Sequence, residues 1–247
     1  MKKNRFIKLA SGLLVLCLMT TCVIGATLAK YTTAKDTQDS AHVAKWGVRI
    51  TALANSVFDT EYNKQDEGYT GTLSVESSSS DKKVVAPGTS GSAAQFSISG
   101  TPEVAVRLSF ALTEFNEVKL TAGTYTNTDG ATVTLGSDYN PIKWTLKKND
   151  TNVTGAVDLT IADMATFLSG YTLDYAPNTD LSTTVPTYTL SWAWAFNVST
   201  DADKADSILG DLAAGVSGIK KGSVAIDAAD YSTEVSYTLT ITATQID

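Results

Sequence analysis

Beyond its N-terminal segment the chain alternates apolar and polar residues in stretch after stretch, the mark of strands with one buried face. Trp46, Val48, Ile50 and Ala52 share one side of the first such stretch, and Ala94, Phe96 and Ile98 share one side of the next. Val104, Val106, Leu108, Phe110 and Leu112 form a longer run, followed by Ile142, Trp144 and Leu146 and then by Leu190, Trp192, Trp194 and Phe196. At the end, Tyr237, Leu239, Ile241 and Ala243 oppose Thr238, Thr240 and Thr242. Between Val118-Leu120 and Val133-Leu135, the Asp129-Gly130 pair predicts a tight hairpin turn, because glycine accepts positive φ.

Helical periodicity is local. Thr160 is placed to cap a helix over 161–168, with Ile161, Met164, Ala165 and Leu168 on one face and Gly170 as its stop. A second helix is predicted over 202–214, turning Ile208, Leu209 and Leu212 inward and placing Asp201 or Asp203 at the positive end of its dipole. Roughly eight to ten strands with one or two short helical inserts predict an all-β chain, a two-sheet β-sandwich of jelly-roll type, in preference to a barrel or a parallel α/β fold. Residues 74–92, with a serine run, a charge cluster and Pro87-Gly88, read as an exposed loop ending in a turn. No repeat of solenoid or propeller period interrupts the pattern. The 247 residues, 43% hydrophobic and 18% charged, suffice for one sizeable core, so 42–247 reads as a single domain.

The N-terminus differs in kind. Residues 1–8 are basic, 9–24 are largely apolar, and Ala26-Thr27-Leu28-Ala29 supplies small residues ahead of a cut after Ala29. This three-part layout predicts a helical secretory signal peptide over 1–29, cleaved between Ala29 and Lys30, and a flexible arm over 30–41. An uncleaved anchor is the alternative, since the apolar run is close to the shortest that spans a bilayer. Cys17 and Cys22 both lie inside this run and are preceded by Leu16 and Thr21, which disfavours lipidation. Cleavage would leave no thiol, removing disulfides and cysteine metal sites. The ending "TITATQID" has neither a sorting motif of LPxTG type nor an apolar tail, so attachment at that end is not expected.

Charge narrows the function classes. Four of the 19 Lys and Arg residues precede Ala29 and none of the 26 Asp and Glu residues do, so the remainder has a net charge of −11. That sign repels nucleic-acid phosphates and anionic lipid, and no nucleic-acid partner is expected; contact with a membrane is expected only through the signal peptide before cleavage. His42 is the only histidine, which excludes an HExxH zinc site and leaves a Ser-His-Asp arrangement without support near a chain end. "GTSGS" at 88–92 lacks the GxSxG spacing, and no phosphate-cradling glycine loop occurs. The one candidate for a metal, calcium, is the acidic group Asp201, Asp203, Asp206 and Asp211. Ala205 stands where an EF-hand loop needs a ligand, so helix capping competes with that reading. Trp192, Trp194 and Phe196 fit either a sugar-stacking platform or core, and a stripe at strand period favours core. No other cofactor is indicated.

"ATLAKYTTAKDTQDSAHVAKWGVRIT", the turn in "VVAPGTSGSAAQFSISG" and the terminal "YTLTITATQID" together resemble the TasA/camelysin family of secreted proteins. The resemblance implies release by a SipW-type signal peptidase of Gram-positive bacteria, with Thr27, Ala29 and Tyr31 at the processing site, a jelly-roll fold, and membership among subunits of extracellular biofilm fibres. It further implies donor-strand assembly, in which the freed N-terminal segment of one subunit joins the sheet of the next. Lys30, Tyr31, Thr32, Thr33 and Ala34 are the candidate donor residues, with Tyr31 and Thr33 on one face. Members of the family have been described both as matrix fibre proteins and as a metalloprotease, and the single histidine disfavours the second here. The expectation is therefore a secreted, non-enzymatic fibre component that self-associates or joins related matrix proteins. A monomeric secreted module binding a glycan or a surface protein is the alternative, and an extracellular protease ranks third.

Overall fold

The computed structural model describes residues 11–13, 42–52, 57–63, 74–185, 187–196, 198–227, 229 and 231–246. The chain divides into two compact units, residues 1–43 and 44–247. In the first, residues 11–13 are helical and exposed; the rest of the expected signal peptide and the arm over 30–41 lie outside the described residues. No helix among the described residues is long and apolar enough to cross a membrane.

The second unit is mostly β-structure. Its strands begin with β1 (Arg49–Ala52), β2 (Glu61–Tyr62), β3 (Val75–Glu76), β4 (Ser90–Ser99) and β5 (Ala105–Asn116). They continue with β6 (Gly123–Thr126), β7 (Thr132–Leu135), β8 (Ile142–Lys148), β9 (Thr151–Asn152) and β10 (Thr172–Tyr175). The last are β11 (Tyr188–Trp194), β12 (Lys220–Lys221), β13 (Val224–Ala225) and β14 (Ser236–Ile246). Helices α1 (Ile161–Gly170), α2 (Leu181–Thr184) and α3 (Thr200–Ala213) are inserted among them. The strands form a five-stranded sheet in the order β1-β4-β11-β8-β9, a three-stranded sheet β10-β5-β14, a four-stranded sheet β13-β12-β6-β7 and a two-stranded ribbon β2-β3. Every ladder is antiparallel.

Alternation sets the core. Ile142, Trp144 and Leu146 of β8 are buried, and β11 pairs with β8 so that Trp192 stands opposite Trp144 and Leu190 opposite Leu146. Val106, Leu108, Phe110 and Leu112 of β5 are also buried. Rings from the five-stranded and three-stranded sheets meet: Phe96 and Phe110 have centroids 5.6 Å apart, Tyr188 and Phe110 5.7 Å, and Trp144 and Tyr237 5.2 Å. Two antiparallel sheets therefore share one apolar layer, as in a sandwich. Truncating a buried tryptophan in such a layer costs about 3–5 kcal/mol. The indole of Trp192 has its own polar partner, donating from Nε1 to the Val57 carbonyl at 2.7 Å. Gly91 makes room for that contact: a Cβ there would lie 2.2 Å from the Val57 oxygen and 2.5 Å from Trp192 Nε1.

Helix α1 starts where its Thr160 cap predicts, whereas α3 spans Thr200–Ala213 and not 202–214, because Ser199 is its cap. Thr160 Oγ1 accepts from the Asp163 N–H at 3.1 Å, and Ile161, Met164 and Leu168 face inward. Ser199 caps α3 by accepting from the Ala202 N–H at 3.1 Å, with Asp201 and Asp203 in the first turn and Ile208, Leu209 and Leu212 buried. Helix α2, capped by Asp180, has too little periodicity to be read from sequence.

Several local expectations are corrected. Trp46 is exposed and precedes β1, because Gly47 at φ +56° breaks the extended run between Trp46 and Val48. Phe196 is likewise exposed, since β11 ends at Trp194. The hairpin around Gly130 joins β6 to β7, whereas Leu120 forms only an isolated bridge with Tyr139. Gly170 is the last helical residue, and the extended Tyr171 is the C-cap. Residues 74–92 do more than loop out: Val84 bridges Asp59, Thr89 is buried, and β4 begins at Ser90.

Candidate functional site

The C-terminal strand has the most distinctive surface in the second unit. β14 runs along β5 from the Ser236–Asn116 pair to the Ile246–Ala105 pair, with one irregularity between Ser236 and Thr238. Among the described residues no strand pairs with its other edge. An unpaired edge presents a row of main-chain donors and acceptors to any extended segment, and proteins ordinarily blunt such rows with charge, proline, bulges or brevity. β14 is eleven residues long, "SYTLTITATQI", with no charged residue, proline or glycine. Its Thr residues suit a pleated surface. Tyr237, Leu239, Ile241 and Ala243 pack against the core yet stay half exposed, while Thr238, Thr240 and Thr242 face out. Tyr237 is held between Trp144 at 5.2 Å and Phe58 at 6.4 Å, and burial raises its phenol to about 12.

The acidic group does not converge. Asp201 lies 3.8 Å from Lys204 on the surface, Asp203 occupies the exposed first turn of α3, and Asp206 turns inward. There Asp206 Oδ1 accepts from the Tyr139 hydroxyl at 2.7 Å and from Trp194 Nε1 at 3.1 Å. Burial raises its pKa to about 6, against the opposing pull of those two donors. Burial first, and then the same carboxylate, pushes the Tyr139 phenol upward. Asp206 thus fastens α3 to the end of β11 and to the turn before β8. Among the described residues no group of three or more His, Cys, Asp or Glu side chains is placed to hold a metal ion. Helical spacing does carry the signal for this role: Asp206 falls four residues after Ala202 and three before Leu209, on the apolar face of α3.

The remaining expected residues separate. Trp192 and Trp194 are core, which removes them as a stacking platform, and His42 is exposed. Thr27, Ala29 and the donor candidates Lys30, Tyr31, Thr32, Thr33 and Ala34 lie outside the described residues. The open edge of β14 is the feature that sequence reading missed. Its alternation and lack of charge are legible, but the absence of a partner is a property of topology.

No family model matches the chain, and no curated protein or solved structure does either.

Proposed function

We propose that the chain is a secreted, non-enzymatic structural protein, a subunit or accessory component of extracellular biofilm or cell-surface fibres. In this reading a SipW-type signal peptidase cuts after Ala29, and residues 30–34 of the freed arm add as a strand to a neighbouring copy or a related matrix protein. The remainder folds as a jelly-roll-like sandwich that presents the acceptor. The observation that carries the reading is the open, uncharged edge of β14. Strand addition there satisfies the main-chain groups of an eleven-residue strand and extends the three-stranded sheet by one. The donor "KYTTA" supplies β-branched and aromatic residues on alternate sides.

The test compares two secreted forms, one beginning at Lys30 and one at Val43, by electron microscopy and sedimentation. Filaments from the first and monomers from the second are expected. Monomers from both, over a wide range of concentration and pH, would remove the fibre reading.

A further inference from the structure

A cleft of about 330 Å³ opens beside the first turn of α3, at the low end of the ~300–1,000 Å³ typical of small-molecule sites. The small side chains of Ala193, Ala195 and Ala202 leave the space, and Pro141 and Val198 border it. The rings of Tyr139 and Trp194 complete the wall, but their polar atoms are engaged elsewhere, both donating to Asp206. Across it, Lys143 of β8 pairs in register with Ala193 of β11, on the face opposite the buried Ile142 and Trp144. Asp158 stands on a loop tied to that face by its N–H, which donates to Thr145 Oγ1 at 3.2 Å. Among the described residues neither Lys143 nor Asp158 has an ion-pair partner.

We propose that this cleft binds a small apolar anion, an aromatic or branched-chain carboxylate whose hydrocarbon body lies on the alanine-lined wall and whose charge sits at Lys143. Lys143 is the one cationic side chain among the described residues of the lining, and Asp158, being exposed, keeps its own hydration. A glycan fits poorly. A polyol needs several convergent donors and acceptors, and here the Tyr139 and Trp194 donors are taken while the Asn140 amide donates to Glu117 at 3.3 Å. The exposed Phe196 and Val198 follow the end of β11 and extend the apolar surface past Ala195. The site is independent of the fibre reading, since it lies on the five-stranded sheet and α3 and uses neither the arm nor β14.

Titrating the full chain with 8-anilinonaphthalene-1-sulfonate, followed by dye fluorescence and by equilibrium dialysis, tests this. N-phenyl-1-naphthylamine, which has the same rings without the sulfonate, is the neutral control. One saturable site is expected. Lys143→Gln should weaken the sulfonate by about tenfold, equivalent to ~1.4 kcal/mol, and leave the neutral dye within about twofold. Ala195 is exposed, so Ala195→Trp fills the cleft without entering the core and should abolish binding of both dyes. Sulfonate binding that is unchanged in Ala195→Trp, or insensitive to Lys143→Gln, or absent from the full chain, would overturn the assignment.

Discussion

The two outer strands of the three-stranded sheet meet solvent by opposite rules. β10 has four residues, and its Asp174 stands directly opposite Arg107 of β5. The guanidinium donates from Nε at 2.7 Å and from a terminal nitrogen at 2.6 Å to the two carboxylate oxygens, so a charged fork stands on the exposed face of that edge strand. β14 has eleven residues and no charge. The outer strands of the five-stranded sheet, β1 and β9, have four and two residues, and those of the four-stranded sheet, β13 and β7, two and four, so among the described residues length and lack of charge coincide only at β14. Brevity and charge are the ordinary protections of an edge. A chain that applies them at β10 and omits them at β14 has one edge suited to accept a strand and one suited to refuse it.

The largest effect should come from loosening β14 itself. Tyr237 anchors the strand to Trp144 and Phe58. Tyr237→Ala should therefore cost about 2–3 kcal/mol of stability, below the range for fully buried aromatics, because the side chain is only half-buried. Chemical denaturation checks this, and an unchanged midpoint would mean that the inner face of β14 does not hold the strand. A smaller effect follows from giving β14 the protection that β10 has. Thr240→Lys with Thr242→Lys adds charge at two exposed positions without touching the core. Folding stability should stay within about 0.5 kcal/mol, as for ordinary surface changes. The critical concentration for assembly of the Lys30 form should rise by about tenfold or more, read by light scattering. Equal assembly of variant and parent would place the acceptor elsewhere.

Much of this contrast is written in the sequence, though not all of it. Period-two alternation located the cores of β4, β5, β8, β11 and β14, because burying one face of a strand demands it. Cap chemistry located the start of α1, since Thr160 takes up an orphan N–H at the helix end, whereas the Ser199 cap of α3 went unread and that helix was placed two residues late. Two-residue strands such as β2, β9 and β12 were beyond reach, for so short a segment has no period. Trp46 and Phe196 were misplaced because alternation continues on paper past the residues where the backbone leaves the sheet. Asp206 counts in the sequence among the candidate calcium ligands, although helical spacing puts it on the face of Ala202 and Leu209. That no strand among the described residues pairs with the outer edge of β14 was not legible, because pairing is decided by how distant strands are ordered.

The smallest effects concern two carboxylates whose titrations run in opposite directions. Asp206, at about 6 in the folded chain against an ordinary 3.8, holds its proton more tightly when folded. Its contribution to stability therefore rises as pH falls from about 6 toward 4, and is absent when the group is ionised in both states. Tyr139, Trp194 and the nearby Asp203 are the groups that act on it. Asp206→Asn keeps an Oδ1 acceptor for both donors and should flatten that rise, with the melting temperature followed across the interval. A rise that persists unchanged would place its source in another group. Asp174 is held below the ordinary carboxylate range by the hydrogen bonds and charge of Arg107. Its contribution is present above the unfolded value and is lost as pH falls through the lower folded one. Both partners are well exposed, so solvent and salt screen the pair, and Asp174→Asn should barely move the melting temperature near neutrality. The same variant tests which protection matters at β10: if brevity suffices, it stays as monomeric as the parent when the arm is removed. If the form beginning at Val43 associates once the Asp174 charge is gone, then charge, more than length, is what keeps that edge closed.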